Sequence, residues 1–151
     1  MTRKGLAREF GKDEFLAECE YTRNLISVCG ATFAESFNGI MKIIFDDMNI
    51  LEHKRAVEFA KCTRLSEKLY GDMKRAKPNY KPKIRNIVAV CAGFNLAITV
   101  AERLLASCGL AFDCSDEHQV FRYILTNCRE LDIVERSKIL KKLGFKALID
   151  D

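Results

Sequence analysis

The segment that most constrains this chain is "IVAVCAGFNLAITVA", Ile87 to Ala101, an apolar run bounded by Arg85 and Glu102. It falls short of the ~20 residues that a membrane-spanning helix requires. A helix that is apolar all round must instead be covered by other elements on every side. With 151 residues, 48% hydrophobic and 30% charged, the chain has enough material to build that cover within one domain. The expectation is an all-α single domain over 1–151, a bundle of about six helices around a buried central helix at 84–107. Asn95 inside that helix then needs a buried partner, and Gly93 lets a neighbouring helix approach closely.

The covering helices announce themselves by their 3.6-residue period and their caps. Phe15, Cys19, Thr22, Ile26 and Cys29 form one face of a helix from about Asp13, closed by Gly30. Thr32 with Glu35 is a capping-box signature opening a second helix, striped by Phe33, Phe37, Ile40, Ile44 and Met48. Asn49 with Glu52 repeats that signature for a third helix running to Lys77, where Pro78 disfavours continuation. A short basic linker, 77–83, leads into the central helix. Ser115, followed by Asp116 and Glu117, starts a fifth helix through Val120, Phe121, Ile124, Leu125 and Cys128. Asp132 with Glu135 caps a sixth that ends at Gly144, before a short apolar tail.

The first residues carry basic side chains with no apolar run behind them, unlike a secretory signal. The seven cysteines are an odd number, and most fall in apolar periodicities. That is the usage of cysteine as a small hydrophobe in a reducing compartment, cytoplasmic or nuclear.

Residues 108–118, "CGLAFDCSDEH", hold Cys108, Cys114 and His118 in a spacing that resembles part of a zinc site. Cys128 lies ten residues past His118, roughly 15 Å along a continuous helix, and Cys91 is seventeen before Cys108, roughly 25 Å. A closed four-ligand site therefore fails unless the fifth helix breaks or another chain contributes, while a three-ligand site completed by Asp113, Asp116 or water stays open. The same residues are explained without metal by a helix–loop–helix corner, with Gly109 ending one helix and Ser115 capping the next. No cofactor is expected.

Charge is polarised. Between His53 and Arg85 stand eleven basic side chains and three acidic ones, a local +8 inside a chain of net +4. Lys54, Lys61, Lys68 and Arg75 recur every seven residues, opposite an inward stripe of Phe59, Cys62, Ser66, Leu69, Met73 and Ala76. On one straight helix they would form a row about 31 Å long. Arg64, Lys74, Lys77, Lys81, Lys83 and Arg85 add charge around Tyr80, an aromatic able to stack on a base if exposed.

These features predict a non-enzymatic protein that contacts nucleic acid, RNA in preference to DNA, through its phosphates. An acidic protein surface is the other partner such a row would fit, and two copies side by side, a homodimer, would widen the platform. The competing class is a protein-binding regulatory bundle using a hydrophobic groove or Phe145, Leu148 and Ile149 of the tail as an apolar arm. Size and cysteine usage would suit a viral accessory protein that binds a host factor in that way. No glycine-rich phosphate loop or H-E-x-x-H occurs, and His53 and His118 lie far apart.

Overall fold

The computed structural model describes residues 3–149, with side chains described from Asp13 onward. Its described residues form eight α-helices and no strand: α1 (Arg3–Ser27), α2 (Phe33–Asp47), α3 (Arg55–Thr63), α4 (Glu67–Lys74), α5 (Ile84–Gly93), α6 (Ile98–Ala106), α7 (Asp116–Asn127) and α8 (Ile133–Lys142). A single 3₁₀ turn, Glu52–Lys54, precedes α3.

The caps explain most of these boundaries. The Thr32 hydroxyl accepts from the Glu35 backbone N–H, while the Glu35 carboxylate takes the N–H of Ala31. Ser115 caps α7 through the His118 N–H. Asp132 and Glu135 make the reciprocal pair that a capping box requires. On α2, Phe33, Phe37, Ile40 and Ile44 are buried as their spacing demands, but Met48 is exposed.

Besides α1, which begins at Arg3 rather than near Asp13 and ends at Ser27, three boundaries depart from the sequence pattern. Asn49 opens no helix: at φ 58° it turns the chain away from α2, and the next helical turn begins at Glu52. The third helix is two helices. Arg64 adopts φ 62° and ends α3, the Thr63 hydroxyl receives the Leu65 N–H, and Ser66 caps α4 by accepting from Leu69 N–H. Ser66 is thus a cap rather than part of an inward stripe. The segment 84–107 is likewise interrupted, with Asn95 at φ 54° between α5 and α6. The apolar stretch is therefore a buried helix followed by an amphipathic one.

Of these, α5 is the central element. Ile87, Val88, Ala89, Val90, Cys91 and Ala92 are all buried, and α5 touches α3, α6, α7 and α8. Gly93 sits where α3 passes. A Cβ there would lie 2.6 Å from the Cys62 carbonyl oxygen and 2.8 Å from Thr63 Cα. An aromatic cluster of Phe37, Phe45, Phe59, Tyr70 and Phe94 fills the space among α2, α3, α4 and the end of α5, largely in edge-on contacts.

Asn95 is exposed, and its polar group serves a buried side chain on another helix. Arg136 of α8 is fully buried; its Nη2 donates to Asn95 Oδ1 at 2.7 Å and its Nε to the Leu131 carbonyl at 2.9 Å. Burial holds the guanidinium below its usual pKa. Arg129 donates to the Asn95 carbonyl at 2.7 Å, so two arginines clamp the α5–α6 turn.

Among its described residues α1 buries only Leu25 fully. It lies against α2 and α6, and a cavity of about 700 Å³ remains between it and the α6 and α7 ends.

Candidate nucleic-acid interface

The basic segment folds back on itself. Because the helix breaks at Arg64, Lys54 and Lys61 belong to the 3₁₀ turn and α3, whereas Lys68 and Arg75 belong to α4 and its C-cap. The straight 31 Å row is not formed. Instead α3 packs against α4, and the charges occupy two adjoining short helices and the loop that follows.

Part of the charge is used inside the fold. Arg55 Nη2 meets Asp46 Oδ1 at 2.8 Å, with its Nη1 3.5 Å from Glu52. Hydrogen bonds from Lys42 and Arg55 hold the Asp46 carboxyl below the usual carboxylate range. Lys74 Nζ lies 3.3 Å from Glu52 and 5.4 Å from the centre of the Tyr70 ring. Lys81 Nζ donates to the Cys108 carbonyl, tying the loop to the end of α6. Arg85 donates to the carbonyls of Lys146 and Ala147 and pins the tail.

Tyr80 is not a free platform. Its ring is half-buried, 5.5 Å from that of Phe33 and tilted by 45°. Burial is the main cause that raises its phenol pKa.

The remaining cations are at the surface. Lys54, Lys61, Arg64, Arg75, Lys77 and Lys83 are exposed and form no ion pair among the described residues. Lys68 is also exposed and pairs only with Asp72 of its own helix, at 3.0 Å. Such an i,i+4 pair is worth at most about 0.5 kcal/mol and exchanges readily for another anion. Phosphate contact needs nothing more than accessible ammonium and guanidinium groups.

The other sequence candidates fare less well. Leu148 and Ile149 are buried, Phe145 is half-buried, and the Ile149 N–H donates to Ser137 Oγ at 3.2 Å. The tail is folded into the bundle against α8 and cannot serve as a projecting arm. At the 108–118 corner, Cys108 is buried with its thiol directed at the Leu104 and Leu105 carbonyls. Cys114 is exposed, and His118 Nδ1 accepts the Asp113 N–H at 2.9 Å between the rings of Phe112 and Phe121. Among the described residues no three His, Cys, Asp or Glu side chains converge as a metal site.

Sequence reasoning missed the buried Arg136 and the cavity beneath α1. The run "REL" before the Asp132 cap and "ERS" after it gave no sign that one arginine turns inward. All seven cysteines are free thiols. Among the described residues no helix is long and apolar enough to cross a membrane. The chain matches no protein-family model, no curated protein and no solved structure.

Proposed function

We propose that this is a non-enzymatic binding protein that contacts the phosphates of RNA through α3, α4 and the loop to α5. The observation that carries the reading is the group of six exposed cations with neither an ion pair nor a side-chain hydrogen bond among the described residues, in a segment of eleven bases and three acids. Lys61, Arg64, Lys77 and Lys83 are the principal contacts, with Lys54, Lys68 and Arg75 at the edges. Lys74, Lys81, Arg85 and Tyr80 act by fixing the fold beneath them.

Contacts of this kind carry little base-edge chemistry, so recognition follows backbone shape rather than sequence. With Tyr80 packed against Phe33 the surface has no aromatic on which single-stranded bases would stack, which favours duplex RNA over a single strand. Competition anisotropy tests this directly. Labelled duplex RNA should bind and resist competition by single-stranded RNA and by poly-glutamate of equal charge. Displacement by poly-glutamate as readily as by duplex RNA would assign the surface to an acidic protein instead.

A further inference from the structure

The cavity beneath α1, about 700 Å³, is a cleft open to solvent along its rim, where Glu14, Cys19, Arg23 and Thr99 are exposed. It has the liquid volume of about two dozen waters. Short side chains line it on three helices. These are Cys19 and Thr22 from α1, Ala97 and Thr99 at the start of α6, and Thr126 of α7. Phe15, Ile26, Ile98 and Leu125 supply apolar walls. An ion pair between Glu18 and Arg129 joins α1 to the end of α7 across the cavity, and braces the helix that roofs it.

We propose that this cavity binds a small, largely apolar molecule bearing an uncharged or cationic polar group, at a site separate from the basic surface. The volume falls in the ~300–1,000 Å³ range of small-molecule sites, which commonly lie between the helices of bundles. The hydroxyls of Thr22, Thr99 and Thr126 and the amides of Asn95 and Asn127 offer hydrogen bonds amid the apolar wall. Three lining acids, Glu14, Glu18 and Glu130, face two lining bases, Arg23 and Arg129, so an anionic head group meets net repulsion. This charge balance is opposite to that of the surface assigned to RNA.

The test uses phenylnaphthylamine, a neutral apolar amine whose fluorescence rises on leaving water, titrated into the full chain. A saturable rise at one molecule per chain is expected. Cys19 lines the cavity and is exposed, while Cys114 is exposed and outside it. At a probe concentration about ten times its Kd, iodoacetamide should therefore modify Cys19 about tenfold more slowly and Cys114 at an unchanged rate, read by peptide mass. Anilinonaphthalene sulfonate, its anionic counterpart, should bind about tenfold more weakly. Thr126→Phe or Thr99→Phe, each filling the cavity from a different helix, should abolish the saturable signal in whichever variant keeps the wild-type circular dichroism. Unchanged Cys19 reactivity, equal affinity for the sulfonate, or saturable binding in a folded filled variant would overturn the proposal.

Discussion

Replacing Gly93 with alanine sets two effects against each other, and the structure decides the sign. In a helix with open surroundings the change gains about 1 kcal/mol from propensity. Here the new Cβ would meet the Cys62 carbonyl oxygen at 2.6 Å and Thr63 Cα at 2.8 Å, both backbone atoms of α3. Ordinary contact begins near 3.4 Å, so α3 would have to retreat by about 0.8 Å at its C-terminal turn. That turn carries Phe59, which is fully buried against Phe37, Tyr70 and Phe94. Overpacking of this sort costs roughly 1–3 kcal/mol, and the small propensity gain at a last helical residue offsets only part of it. A net loss of about 1–2 kcal/mol lowers Tm by about 2–8 °C in a chain of this length. Gly71→Ala is the control, because its added Cβ meets only the end of the Arg75 side chain, at 2.8 Å, which can swing aside. That variant should gain about 0.5–1 kcal/mol. Thermal melts followed by circular dichroism compare the two. If Gly93→Ala melts at or above the wild type, the close passage of α3 over α5 is wrong.

Other perturbations read other parts of the structure. Asp132→Ala removes one half of the α8 capping box and should cost about 1 kcal/mol in urea unfolding, with Asp132→Asn retaining most of it. The Cys91 thiol is fully buried, which pushes its pKa up to about 12. A thiol titration at neutral pH should therefore modify Cys19 and Cys114 in the native protein and reach Cys91 only in denaturant. The Asp46 carboxyl is held below its ordinary 3.8 by Lys42 and Arg55. Its stabilisation is present at neutral pH and is lost as pH falls through the depressed folded-state value, so Asp46→Asn should narrow the difference in urea midpoint between pH 7 and about pH 3.

The elements that the sequence revealed are those whose cap and apolar stripe agree. Thr32, Ser115 and Asp132 are N-caps in fact as in pattern, and the helices they open bury most of the residues that the 3.6 period selects, Met48 and Val120 being the exceptions. The two missed breaks share a cause. Phe59, Leu69 and Met73 stay in phase across residues 64–66, because a left-handed Arg64 followed by a new cap redirects the chain without disturbing the apolar spacing. The Ser66–Glu67 pair was the available signal, since serine before an acidic first turn is a start signature. In the apolar stretch Gly93 does let α3 approach closely, whereas Asn95 is exposed rather than buried. Asparagine, which tolerates positive φ far better than most residues, marks the turn there.

For the candidate interface, composition located the charged segment but not its shape. Whether Lys81 reaches solvent or a carbonyl at the end of α6 depends on a contact 27 positions away in sequence. Tyr80 similarly meets Phe33 and Arg85 meets the tail through the tertiary fold alone. Local pattern has no access to such pairings, so the buffered cations could not be separated from the accessible ones before the helices were assembled.

The claim that the accessible cations of α3 and the following loop engage phosphates is tested most directly by the salt dependence of binding. Anisotropy of a labelled RNA duplex should give a log–log slope of about −3.5 to −4.5 for five phosphate contacts. In Lys61→Glu with Lys77→Glu the slope should shrink by about 1.5 or more while the melting temperature is unchanged. Absence of binding at low salt, or the wild-type slope in the folded double variant, would contradict the account.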